Sequence, residues 1–173
     1  IAYNDAMERY GSDKPDLRID LQCRDITALT RGMDFGPFAE GEVKAVVVTD
    51  CALTRKQIDQ LCTDTEVQSG VKPYWFRMDE NGELVGGIAK FLTDRKEEVI
   101  KALDLKPNTL VGVSAGKKTQ AQKTIGVMRS KLGAAVPGHM DKERYEFCWI
   151  VDFPMYEIGE ESGELEFCHN PFS

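Results

Sequence analysis

The sequence is poor in the residues from which most self-contained catalytic and metal sites are built. Its 173 residues hold only two histidines, His139 and His169. The five cysteines (Cys23, Cys51, Cys62, Cys148 and Cys168) are odd in number and widely scattered, with no C-x-x-C pair. Structural zinc sites draw on clustered Cys and His ligands, so no metal site is expected, and reduced, mostly buried thiols are expected in place of a disulfide framework. No apolar run approaches the roughly 20 residues that span a bilayer. Ile1-Ala2-Tyr3-Asn4-Asp5 has neither the basic nor the apolar region of a signal peptide. These absences point to a cytoplasmic protein with no membrane partner.

Charge of one sign is also missing from a long stretch. The chain carries a net charge of −7, which argues against a protein that grips phosphates over its whole surface. Between Asp104 and Asp141, however, there is no acidic residue, and that window holds Lys106, Lys117, Lys118, Lys123, Arg129 and Lys131. Two readings stand side by side: a solvated helix face, or a patch that touches phosphates or an acidic neighbour. In the second case binding would weaken steeply with salt.

What is present reads as an α+β fold. Hydrophobic residues at 42% and charged residues at 29% are those of a globular protein, long enough for one domain with flanking pieces. Residues 3–10 carry a helix signal that Gly11 stops, followed by loop chemistry around Pro15. A further short helix is expected over 24–31, and a glycine- and proline-punctuated loop over 32–41. Val43–Thr49 is a β-branched run that predicts a buried strand. Thr54 with Gln57 forms a capping box opening a helix that Gly70 ends. Asn81-Gly82 sets a hairpin between Pro73–Asp79 and Glu83–Ile88. Asp94 with Glu97 predicts a second capping box, for a helix closed by Pro107, and Thr109–Val113 predicts another strand. Ala121, Ile125, Met128 and Leu132 then step at helical spacing. The order β-α-β-β-α-β plus a last helix predicts a two-layer sandwich, helices on one face of a mainly antiparallel sheet. Tyr145–Phe153 reads as a strong strand, and Gly159–Gly163 as a turn into Glu164–Cys168, with the two strands in a separate sheet.

No catalytic constellation emerges from spacing. Gly112 and Gly116 are separated by three residues and followed by two lysines, which does not satisfy a phosphate-binding Walker loop. Gly86-Gly87 fits a bulge or a close backbone approach better than a nucleotide fingerprint. Cys168 and His169 are neighbours on a strand and point to opposite faces, so they make no nucleophile–base dyad. The acidic cluster of Glu157, Glu160, Glu161, Glu164 and Glu166 is expected to be a solvated turn.

Several ordered motifs nevertheless carry a resemblance. Arg9-Tyr10-Gly11-Ser12-Asp13-Lys14-Pro15-Asp16-Leu17-Arg18, Leu53–Asp59, Ile88–Leu92, Trp149–Met155 and His169-Asn170-Pro171-Phe172-Ser173 together resemble bacterial-type aspartyl-tRNA synthetases over nearly the whole chain. The resemblance implies that residues 43–136 are the inserted GAD domain of a class II catalytic domain. Residues 1–42 would lead into it and 137–173 would return from it. The opening at Ile1 and the stop after Ser173 fit an excised segment, with its two ends near each other.

The resemblance further implies an enzyme that uses ATP and Mg²⁺ to form aspartyl-adenylate and transfers aspartate to tRNA. It implies a homodimer as the full enzyme. The segment alone would hold no catalytic residue, bind no cofactor and be inactive. His169 matches the first histidine of a His-His-Pro-Phe strand that lines the aspartate pocket. Asn170 replaces the second, and asparagine cannot become cationic. Ser173 stands where threonine is common. The His-Asn form is similar to that of enzymes that also charge the asparagine tRNA, so tRNA(Asn) joins tRNA(Asp) among the implied partners. Within the insertion, Lys117, Lys118, Lys123, Arg129 and Lys131 are the candidates for tRNA contact, against a role that only braces the catalytic body. The alternative class is a free-standing, non-catalytic module that binds tRNA or protein, as in a subunit of the tRNA-dependent amidotransferase.

Overall fold

The β-branched run around Val46 forms the centre of a sheet. In the computed structural model, which describes residues 1–159 and 162–168, β2 (Glu42–Val48) lies between β1 (Cys23–Asp25) and β5 (Thr109–Gly116). Strands β3 (Tyr74–Met78) and β4 (Leu84–Val85) complete the order β1-β2-β5-β3-β4, with every pairing antiparallel. The class and the antiparallel sheet are those expected, and the expected β-α-β-β-α-β order runs from β2 to β5.

The pleat sends Val46, Val48, Leu110 and Trp75 to one face, where they meet α3 (Arg55–Ser69) and α5 (Lys118–Ala135) through Ile58, Leu61, Ile125, Met128 and Leu132. These two long helices and the sheet form the sandwich. Val43, Ala45, Phe76, Val111 and Val113 point to the other face. Because β2 and β5 are apolar on both sides, that face also needs cover. The short helix α4 (Lys96–Leu103) supplies it with Val99 and Leu103, together with Phe38, Ile88 and Leu92 from irregular segments.

Local chemistry sets most boundaries. The Thr54–Gln57 capping box forms, and Gly70 ends α3 in the left-handed region at φ 75°. The expected Asp94–Glu97 box does not form. Thr93–Arg95 is a 3-10 turn, α4 starts after Arg95, and no side chain caps it. The β3–β4 hairpin turns over Asp79–Glu83, because the Asp79 carboxylate accepts from the backbone N–H of both Asn81 and Glu83. At Gly87 a Cβ would sit 1.7 Å from the Trp75 carbonyl oxygen, the close backbone approach that the glycine pair suggested.

Helix α1 (Tyr3–Tyr10) ends at Gly11, φ 65°, and packs against α5. Helix α2 (Thr27–Thr30) replaces the longer one expected over 24–31, since Cys23–Asp25 joins the sheet. Tyr145–Phe153 does not form the strong strand expected. Its only ladder contact among the described residues is a parallel bridge between Ala2 and Val151, beside which the N-terminal ammonium donates to the Trp149 carbonyl, and one bridge does not make a strand. Strands β6 (Tyr156–Ile158) and β7 (Leu165–Phe167) form a separate two-stranded sheet, as expected. The Gly159–Gly163 turn and the acidic cluster fall partly outside the described residues at Glu160 and Glu161. No helix among the described residues is long and apolar enough to cross a membrane.

Candidate functional site

Helix α5 carries most of the acid-free window, and its 3.6-residue period divides those cations among different surroundings. Arg129 turns inward and is 1% exposed. Its guanidinium donates to the carbonyls of Leu21 (2.6 Å), Ile19 (2.9 Å) and Asp16 (3.0 Å), and stacks over the Tyr10 ring at 4.9 Å. Three carbonyls occupy its fork, so it fastens the 16–21 segment to α5 and presents no donor face to an outside phosphate. Lys118 pairs with Glu8 at 3.0 Å at the start of α5, and Lys117 is exposed beside it. Lys123 is exposed and Lys131 half-buried on the open side of the helix. Both line a cleft of about 700 Å³ between α1, the Gly11–Asp13 loop, the end of α3 and β6. Ser12, Ser69 and Ser130 add hydroxyls to this cleft, while Asp13 and Glu157 add carboxylates. Lys106 stands apart, 3.9 Å from Asp104.

The structure thus brings Lys123 and Lys131 to one cleft, places Lys117 and Lys118 at the helix start, and buries Arg129. His169 lies outside the described residues. Cys168, which precedes it, is described. Its N–H donates to the Met155 carbonyl at 3.0 Å. Burial pushes its thiol above the ordinary pKa.

Three groups that sequence reasoning did not single out as site residues tie α1 and the segments around Asp20 and His139 to the sheet. Lys44, in the middle of β2, is 1% exposed. Its ammonium is met by Glu8 (2.7 Å) from α1, Glu42 (2.8 Å) from β2 and Asp25 (2.9 Å) from β1. Burial alone would lower its pKa, and the three carboxylates more than reverse this, so it stands above the ordinary lysine value. Glu8 also accepts from Gln122 at 2.8 Å. Burial would raise its carboxyl, but Lys44 and Lys118 hold it below the usual range. A lysine inside the run Glu42–Val48 was the one available signal, since a charge within a buried strand requires partners.

His139 is the second group. One ring nitrogen, Nε2, faces the Thr49 carbonyl at 3.0 Å, and the other, Nδ1, faces the Asp20 carboxylate at 2.8 Å. A carbonyl and a carboxylate both accept, so the ring satisfies them together only as the doubly protonated cation. Burial opposes the charge, but the Thr49 and Asp20 contacts prevail and raise the pKa above 6.5. The third is a glycine pair. A Cβ on Gly126 would lie 2.3 Å from the Gly11 carbonyl oxygen, and one on Gly11 would lie 2.2 Å from that of Gln122. The Tyr10-Gly11-Ser12 motif therefore seats directly on the α5 backbone.

The GAD domain family matches residues 38–125. Aspartate–tRNA ligase of Streptomyces coelicolor is 44% identical over 176 aligned positions, and that of Streptococcus pneumoniae serotype 4 is 41% identical over the same length. Both alignments cover 100% of this chain and 30% of the relative. The chain therefore spans about a third of the length of the curated relatives it matches.

Proposed function

The chain belongs to the GAD domain family, and from that premise we propose that it is the insertion of an aspartate–tRNA ligase with the catalytic-domain segments on either side. The observation that carries the reading is the alignment of the whole chain, flanks included, to 30% of proteins bearing that name. Residues 1–42 lead in, 43–136 are the insertion and 137–173 return. A free-standing module accounts for the middle of the chain but not for the matching flanks.

The full-length enzyme activates aspartate with ATP and Mg²⁺ and passes it to tRNA(Asp), and to tRNA(Asn) in the non-discriminating form. It acts as a cytoplasmic homodimer. Among the described residues no group of three or more His, Cys, Asp or Glu could hold a metal ion. On this reading the ATP·Mg²⁺ site belongs to the rest of the full-length enzyme, and His169 to the aspartate pocket. Aspartate-dependent pyrophosphate exchange is expected from the full-length protein and not from residues 1–173 alone. Exchange by residues 1–173 above a buffer blank would refute the assignment to a segment.

The insertion braces the lead-in through Lys44, Arg129 and the glycine pair. Lys117, Lys118, Lys123 and Lys131 face tRNA phosphate. Reversing these four to glutamate in the full-length enzyme is expected to weaken tRNA binding and flatten its salt dependence by up to about one log unit per lost contact. An unchanged salt slope leaves bracing as the insertion's role. Arg129 is kept out of that set because reversing a buried charge would unseat the lead-in itself.

A further inference from the structure

The chain enters and leaves the sheet-and-helix body side by side. Ile19 and Met140 form an antiparallel bridge between two backbone bonds. The Asp20 N–H donates to the His139 carbonyl at 3.1 Å, and the Asp141 N–H donates to the Arg18 carbonyl at 3.2 Å. The two stretches are held to the body differently. Residues 16–21 are fixed by groups that do not titrate near neutral pH: the three Arg129 bonds, and the seat of Ile19 on Gly133, where a Cβ would lie 2.4 Å from the isoleucine side chain. Residues 137–141 leave α5 through Pro137-Gly138, both exposed. Gly138 stands at φ 95°, and a Cβ there would meet nothing within 4 Å, so this joint is free to turn. Beyond it Met140 packs on the α5 cluster. The His139 ring reaches across to Asp20 on the incoming stretch at 2.8 Å and to the Thr49 carbonyl, just past β2, at 3.0 Å. Three separate stretches of chain meet at one imidazole.

We propose that His139 is a pH-sensitive latch: as the cation it ties the outgoing stretch to both Asp20 and Thr49, and as the neutral ring it releases one of them and lets residues 137–141 open about Pro137-Gly138. Neutral imidazole has a single N–H, so one nitrogen must turn a lone pair on an oxygen that also carries lone pairs. Asp20 is the charged acceptor and keeps the remaining proton, which leaves Thr49 as the tie that breaks. The surroundings favour the closed cation. Asp50 adds a second negative charge, Cys23 is a buried thiol held neutral by a pKa pushed up to about 12, and Arg24, on the wall of the same cavity, is engaged with the Leu103 carbonyl at 3.0 Å. The ring keeps 11% of its exposure, enough to exchange its proton with water. The sign of the dependence follows. The closed form binds the proton more tightly than the open one, so it is fully favoured on the acid side and loses that advantage as pH rises through the folded value, above 6.5. The device does not depend on the activity proposed above.

Amide hydrogen exchange in the full-length protein, corrected for the intrinsic pH dependence of exchange, reads the opening directly. The Asp20 and Asp141 amides are expected to lose protection about fivefold between mildly acidic and alkaline pH, the factor of one ordinary net hydrogen bond. The amides of Val46 and Val113, in the central strands, should keep theirs. His139→Gln should remove the step. Because that variant also disturbs packing, Asp20→Asn serves as the second arm: it keeps an acceptor and removes the negative charge, so the step should move to lower pH. Flat protection in the parent, a step that survives His139→Gln, or a midpoint unmoved in Asp20→Asn would each overturn the latch. So would a parallel loss at Val46 and Val113, which is the unfolding of the whole body.

Discussion

A lysine whose side chain is 1% exposed must have its charge answered in place, and Lys44 has three carboxylates within 2.9 Å. Those carboxylates keep between 29% and 50% of their side-chain exposure, so they retain part of their hydration when the lysine is lost. Lys44→Met is therefore expected to cost about 3 kcal/mol, the low end for breaking a buried ion pair, read from urea unfolding of residues 1–173. A loss under about 1 kcal/mol would mean that the cluster contributes no more than a surface pair. His139 gives a dependence on pH. Its folded pKa is raised above the ordinary 6.5, so the unfolded chain gives up its proton first. Its contribution to stability is complete below the unfolded value and is lost as pH rises through the folded one. The stability difference between the parent and His139→Gln should shrink from mildly acidic to alkaline pH. A difference that stays constant would show that the ring bonds in its neutral form.

Among the elements, α5 does the most to hold α1 and the 16–21 segment in place, and its glycine makes the clearest test. Alanine in a helix interior normally gains up to about 1 kcal/mol over glycine. At Gly126 the added methyl would meet the Gly11 carbonyl at 2.3 Å, so overpacking decides the sign. Gly126→Ala is expected to destabilise by about 1–3 kcal/mol, seen as a lower thermal midpoint, and a higher midpoint would show that α1 slides freely. The periodicity of Ala121, Ile125, Met128 and Leu132 was legible because one buried face leaves a repeat in the sequence. The second use of the same helix was not. Gly126, Arg129 and Gln122 face α1, and a mixed polar-and-small face looks like solvent until its partner is known. In the sequence Arg129 is indistinguishable from the exposed lysines for that reason: composition reports a charge, and only its three carbonyl partners report its direction. Asp94 misled differently. Its capping-box spacing was correct, but a 3-10 turn from Thr93 occupied the place where the cap would form. The candidate site was legible only through its motifs, since the contacts of Tyr3 join residues about 150 positions apart.

For the whole molecule, the balance lies between net charge and uncovered apolar surface. Tyr145, Phe147 and Trp149 are 86%, 90% and 86% exposed, at alternate positions of a segment that has almost no ladder partner. Three aromatic side chains present roughly 500 Å² together, at the upper end of the patches that monomers carry. The net charge of −7 opposes association, but its field is screened within about 10 Å at ordinary salt, whereas direct apolar contact is not. Apolar contact should win, so residues 1–173 are expected to self-associate, more so as salt rises. On the function proposed above, the remainder of the catalytic domain would cover the same strip. Replacing Tyr145, Phe147 and Trp149 with lysine should abolish the association while leaving the five-stranded sheet intact, because none of the three side chains belongs to either hydrophobic cluster. Sedimentation velocity over a wide concentration range, paired with circular dichroism, reads both quantities. If the parent chain sediments as a monomer throughout, the strip is not adhesive and the case for an apolar partner in the rest of the enzyme weakens with it. If it associates but the triple-lysine variant does so equally, the contact lies elsewhere, with the exposed face of β6 and β7 the next surface to test.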